Sequence, residues 1–345
     1  MIVRGMRWYL LVPIALAASV ALGLFRAGAP PKPGSMEHAA SAFLASLDDA
    51  KRSRATFPLD DARRKDWHYI PRERPGLPIG DLDEAQKKEM RSLLEAALSD
   101  EGLKKVDGVF LLEGVLRELE SSPMRDPGHY MVSLFGKPAS EEAWGWRLEG
   151  HHLSLNFLLS GGRVAVTPFF LGANPDKIVG GVHAGLRVLA PEEDLARALA
   201  KSFDAAQRAE GIKTDEAPSD VILGPARAAS FLEPPGISGA KLREDQRALL
   251  AKLAELYPGD LAASVASDAI DHVRKTPGAE LHFLWIGGLE PGEPHYWRVQ
   301  GKHFAIELDN VQGGASHVHT LWRDLDDDFG EDVLKRHYEE HHSGK

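Results

Sequence analysis

The sequence predicts an α+β fold of two pseudo-repeated halves, each with amphipathic helices packed on an antiparallel β-sheet. Three observations predict it. Apolar residues recur at helical spacing in several stretches. Between these lie stretches of alternating polarity bounded by glycine turns. One strand unit occurs twice along the chain.

In chain order, residues 1–29 come first. Met1 to Arg7 carries two positive charges, and Trp8 to Phe25 is an apolar run broken only by Pro13, Ser19 and Gly23. Arg26 and the small triplet Ala27-Gly28-Ala29 follow. A basic, then apolar, then small-residue order is that of a secretion signal. The apolar run is also about as long as a short membrane span, and Pro30 follows the expected cut, so an uncleaved anchor stays open. Either way an exported protein is expected, periplasmic or on the cell surface. It would touch the membrane only through this segment, held at the inner membrane if the segment is retained.

Residues 30–82 read as a Pro/Gly linker, a helix over Glu37 to Arg52, and a strap over 57–80 rich in proline and charge. Residues 83–212 form the first half and 213–345 the second. In the first half Met90, Leu93, Leu94, Ala97 and Leu98 fall on one helical face, and Leu195, Leu199 and Phe203 on another. Leu242, Leu249, Leu250, Leu253 and Leu256 line a helix in the second. Strands are expected at 130–136, 144–150, 152–159 and 163–169, and again at 280–287, 295–300, 302–309 and 316–322.

The repeat is visible residue by residue. Trp146-Arg147-Leu148-Glu149-Gly150-His151-His152-Leu153 aligns with Trp297-Arg298-Val299-Gln300-Gly301-Lys302-His303-Phe304. Each copy follows a helix that opens acid-x-Gln-basic (Glu84 to Lys87; Glu244 to Arg247) and precedes a Gly-Gly turn (Gly161-Gly162; Gly313-Gly314).

Composition narrows the function. Apolar residues at 43% and charged residues at 27% are ordinary for a globular body. Without Arg4, Arg7 and Arg26, 38 of the 41 basic residues face 51 acidic ones, a balance of −13. That excludes nonspecific nucleic-acid binding, which needs surplus Lys and Arg against phosphate. There is no cysteine, so thiol catalysis, iron–sulfur clusters and Cys-type zinc sites are excluded. No Gly-x-Ser-x-Gly, phosphate loop or dinucleotide fingerprint is present. Fifteen histidines leave a His/carboxylate site open.

Strand alternation places the candidates. His152, Ser154 and Asn156 point away from Leu153, Leu155 and Phe157, while His303, Glu307 and Asp309 point away from Phe304, Ile306 and Leu308. His317 and His319 share a face of the next strand. A tight turn at Gly313-Gly314 would set Asp309 opposite His317 and Glu307 opposite His319, with paired Cβ atoms roughly 5 Å apart. The metal ligands expected are therefore His152, Glu307, His317, His319 and His337, around one transition-metal ion (zinc, iron or copper). His337 enters because Val333 and Leu334 turn it inward on the last helix. The catalytic candidates are Glu307, Asp309 and Arg323. The alternative is a polar face whose histidines bond only to neighbouring carboxylates. Arg147, Arg298 and Arg323, each beside a tryptophan, could hold an anionic group or pack as structural arginines. Asp324 to Gly330 misses the calcium-loop pattern, because glycine comes one place late and position twelve is Lys335.

Glu149 to Asn156, Phe170-Leu171-Gly172-Ala173-Asn174-Pro175, Ile306 to Asn310, His317 to Asp324 and Asp328-Phe329-Gly330 together resemble the bacterial family called domain of unknown function 3500. The resemblance runs from about Trp67 to His337. It implies a similar layout and frequent export, and it carries no activity. Two functions remain: a metal-dependent enzyme, hydrolytic or oxidative, acting on a small molecule or polymer; or a non-catalytic ligand-binding or structural protein without metal.

Overall fold

The computed structural model describes residues 35–121, 125–138, 142–225 and 234–331. The expected signal or anchor segment and His337, on the expected last helix, lie outside the described residues. In chain order the elements are α1 (Met36–Ser46), α2 (Asp49–Ala55), β1 (Thr56–Phe57), β2 (Leu77–Pro78), α3 (Glu84–Ala97), α4 (Asp100–Glu120), β3 (Met131–Phe135), β4 (Trp144–Gly150), β5 (Leu153–Ser160), β6 (Arg163–Ala165) and β7 (Phe169–Ala173). Then come α5 (Ala190–Lys201), α6 (Ala205–Gly211), β8 (Ile212–Lys213), β9 (Ile237–Ser238), α7 (Glu244–Gly259), α8 (Asp268–Lys275), β10 (His282–Gly287), β11 (His295–Gln300), β12 (Phe304–Gln312) and β13 (His317–Asp324). Helices and a large sheet make the fold α+β.

One helical expectation needs correcting, and one long helix, α4, was not expected. The helix expected over Glu37 to Arg52 is two helices. Leu47 is extended and Asp48 starts α2 by accepting the Lys51 N–H, so capping chemistry outweighs continuity. The long helix α4 escapes apolar periodicity because it buries Lys105 and Glu113 as well as Leu103 and Val109. It also carries Gly102, where a Cβ would lie 2.1 Å from the Asp260 carbonyl. The acid-x-Gln-basic openings have a physical meaning: Gln86 and Gln246 are the third residues of α3 and α7, and their side chains accept the Asp83 and Arg243 N–H groups.

The strands of the described residues form one sheet, ordered β1-β3-β4-β5-β7-β13-β12-β11-β10-β8, with β2 on β3, β6 on β5 and β9 on β10. The order mirrors about its middle. Each end is a parallel pair (β1 with β3, β8 with β10), and the centre is the antiparallel pair β7–β13. The hairpins β4–β5 and β11–β12 share a register: Trp146 faces Phe157 and Arg147 faces Asn156, as Trp297 faces Leu308 and Arg298 faces Glu307.

One sheet face presents Leu153, Leu155, Phe157, Phe304, Ile306 and Leu308 to the apolar sides of α1, α3, α4, α5, α7 and α8 in one core. The other face, expected to be polar, is buried. The strap lays Trp67 and Tyr69 over it, and residues 221–225 add Val221 and Leu223 to a second core with Phe170, Ala305 and Leu321. Arg74 anchors the strap by donating to Glu149 Oε1 at 2.9 Å and to the carbonyls of His68, Arg72 and Gly150. Ser154, Glu307 and Asp309 are consequently fully buried.

Candidate metal centre

The centre lies at the β7–β13 pair in the middle of the sheet. His319, on β13, faces Asp309 on β12 and Gly172 on β7. The register expected from a tight turn is therefore shifted by two residues: Asp309 pairs with His319, and Glu307 with Leu321. The cause is a four-residue connection, Gly313 to Ser316, with a bulge between Asn310 and Gln312 that seats His317 opposite Gln312.

His152 occupies the two-residue turn between β4 and β5, at a left-handed φ of 62° that non-glycine residues seldom adopt. Its N–H donates to the Tyr69 carbonyl, and its own carbonyl accepts the Gly172 N–H, each at about 2.8–2.9 Å. Glycine at 172 is required by the ring itself, since a Cβ there would lie 2.9 Å from the imidazole of His152.

These constraints bring His152, His317 and His319 together. Nε2 of His152 is 2.7 Å from Nε2 of His317 and 3.4 Å from Nε2 of His319. One ligand nitrogen from each lies within 4.8 Å of the others. The three rings stand at 64° to 76° to one another, so they fan about a common centre rather than stack. Nitrogens bound to one zinc ion at about 2.0–2.1 Å in a tetrahedron sit roughly 3.3 Å apart, so the trio needs only small adjustments to hold such an ion.

Carboxylates back the trio. Nδ1 of His319 is 3.0 Å from Asp220 Oδ1 and 3.4 Å from Asp309 Oδ2. Carboxylates on the far ring nitrogen fix the tautomer that presents a lone pair to a metal. Asn310 Oδ1 accepts the His317 N–H, and Asn174 lies 3.4 Å from His317 Nδ1. Behind His152 the ring of His151 stacks at 3.7 Å, and its Nδ1 meets Glu113 at 2.5 Å. Asp309 is fully buried, and the nearby His319 imidazole offsets the charge of its carboxylate.

Burial opposes a charge on His319, but bonds to Asp220 and Asp309 and the charges of both outweigh it and hold the imidazolium up to about 9. Burial, then the neighbouring His319 charge, pushes His317 down to about 3. Burial and the surrounding histidines hold His152 well below the ordinary range. Burial raises Asp309 to about 6. In the metal-free protein the cluster thus carries its proton on His319, with two neutral imidazoles turned toward it.

Glu307 lies outside this group. Its carboxylate accepts the Leu223 N–H and the Tyr296 hydroxyl, each at 2.9 Å, and faces Arg298 at 3.7 Å. It pins the covering loop to the sheet. Arg323 is likewise engaged in the fold, donating twice to Asp328 and once to the Leu223 carbonyl. Arg147 packs over Phe135 beside Glu149. His303, aligned with His152, faces Asp326 instead. Asp220 was not visible in the sequence, since its loop has no periodicity. Tyr69, Asn174 and Asn310 stood inside conspicuous stretches, but nothing in their spacing gave them a role.

No curated protein and no solved structure matches the chain. A family model described as "Protein of unknown function (DUF3500)" matches residues 32–331, which is most of the chain. The buried cluster is built from stretches inside that match, and the chain belongs to the DUF3500 family.

Proposed function

We propose that this is an exported metal-dependent enzyme that holds one transition-metal ion between His152, His317 and His319. The observation that carries the reading is the convergence of three Nε2 atoms, on mutually tilted rings, with two carboxylates behind one of them. Asp220 and Asp309 keep the Nδ1 proton of His319 in place, so its Nε2 is the ligand, and their charges offset a divalent ion in a buried setting. His152 and His317 are neutral and need lose no proton to bind. A three-histidine set leaves a coordination position for water or substrate, and an ion there supplies Lewis-acid activation of water, which favours hydrolysis. His317 is the partly exposed member, so substrate approaches on its side, beside Asn174.

Export is part of the proposal and rests on the order of charges and apolar residues in 1–29. A reporter fused after Gly34 that stays in the cytoplasm would contradict it. We also read the two halves as copies of one ancestral unit, supported by the aligned Trp-Arg stretches and the shared hairpin register.

The test is elemental analysis of protein purified without a histidine tag. Stoichiometric metal in the wild type that the His317→Ala/His319→Ala double variant loses supports the site. Metal-free wild type, even after incubation with zinc, iron or copper, rejects it in favour of a ligand-binding protein.

A further inference from the structure

A second group of possible ligands lies at the far end of β13. His272 on α8, His303 in the β11–β12 turn and Asp326 beyond β13 each offer an atom within 4.8 Å of the others. We infer that His272, His303 and Asp326 form a second, surface site for a divalent transition-metal ion, with zinc the natural occupant. His317 and Asp324 end the same strand, so the two sites are roughly 20 Å apart along it. The inference does not depend on the buried cluster.

Three features separate this group from a chance surface pair. First, the carboxylate of Asp324, 1% exposed, meets His272 Nδ1 at 2.8 Å. That bond holds Nδ1–H and leaves Nε2 as the lone-pair atom, the carboxylate–histidine arrangement that orients metal ligands. Second, the other oxygen of Asp324 accepts the N–H groups of Asp326 and Asp327 at 2.8 and 2.9 Å. One buried carboxylate therefore positions both a ligand histidine and the loop that carries the ligand aspartate. Third, the ligands come from three separate elements, a helix, a hairpin turn and a loop, so an ion would clamp α8 to the ends of central strands of the sheet.

His303 is a third exposed and bonds Asp326 through Nδ1. Its ring stacks on His272 at 4.7 Å with a tilt of 24°. Ligation requires the ring of His303 to turn out of the stack, which its exposure permits. Two nitrogens and one carboxylate oxygen, completed by water, suit zinc, nickel or copper(II) better than calcium or magnesium.

The test uses the full chain, stripped of metal and titrated with zinc against a chromophoric chelator. Three proteins are compared with wild type: His303→Ala, Asp326→Asn, and the double variant His317→Ala/His319→Ala. The expected result is one zinc equivalent that His303→Ala removes and Asp326→Asn weakens at least tenfold, while the double variant keeps it. Addition of zinc should also shift the side-chain imidazole NMR signals of His272 and His303 in that double variant. Asp326→Asn keeps the side-chain volume at an exposed position, so it reports even if His303→Ala fails to fold. If no zinc equivalent is sensitive to both His303 and Asp326, these two side chains are only a surface ion pair and the inference is wrong. A buried cluster that binds nothing would leave this outcome unchanged, so the two readings fail separately.

Discussion

Single residues decide whether the cluster exists. The opposed protonation of its histidines makes stability depend on pH. His152 and His317 are held below the ordinary histidine value of 6.5, His317 at about 3. The unfolded chain therefore takes up protons that the folded chain refuses, and the stability these groups contribute is present above 6.5 and lost as pH falls from there toward 3. His319 is raised to about 9, so its contribution is present below 6.5 and lost as pH rises through 9. Denaturant titrations of chelator-treated protein should show an acid limb between pH 6.5 and 4 that flattens in His317→Ala. An unchanged acid limb in that variant would show that His317 is not held neutral. Gly172 offers a second residue-scale prediction. Alanine there drives a methyl into the His152 ring, costing about 1–3 kcal/mol by overpacking and lowering metal affinity at least tenfold. Wild-type affinity in Gly172→Ala would mean that the ring of His152 has another seat.

At the scale of elements, the strap is what turns a polar strand face into a buried site. Arg74 and Glu149 have side chains 4% and 2% exposed. Replacing Arg74 by alanine removes a buried partner, a change that costs about 3–5 kcal/mol. Arg147 lies 3.4 Å from the same carboxylate, so the lower end of that range is expected in a urea unfolding curve. A loss below about 1 kcal/mol would mean that the strap does not depend on this pair. The strands, and the helices with clean apolar spacing, were legible because each gathers its apolar residues on one regular face. What was hidden has physical reasons too. A strap rich in proline and charge has no period to announce that it covers anything. The four-residue connection and the bulge at Asn310 moved the β12–β13 register by two, and only hydrogen-bond geometry fixes such a shift. Helix α4 buries charge through contacts distant in sequence: Lys105 meets Asp260 and Glu192.

For the whole molecule, the site spans both sides of the sheet's middle pair. His152 comes from the first hairpin, His317, His319 and Asp309 from the last two strands, and β7 carries the glycine that makes room between them. Its position at the centre of a mirrored sheet explains why only part of it could be read from sequence. His152, His317 and His319 all follow from strand alternation, whereas the β7–β13 seam that carries His152 to the other two has no signal in the sequence. The same mirroring puts His303 where His152 would be in the other half, yet beside α8 and Asp326 rather than a third strand histidine. The proposed function stands on one ion held between three particular nitrogens. The most direct measurement is an anomalous difference map from crystals of untagged, full-length protein, recorded across the absorption edge of whichever metal the preparation contains. One peak within about 2.0–2.2 Å of Nε2 of His152, His317 and His319 together is the predicted result. Ordered density for all three rings with no anomalous peak among them, in crystals grown with added zinc, would contradict it.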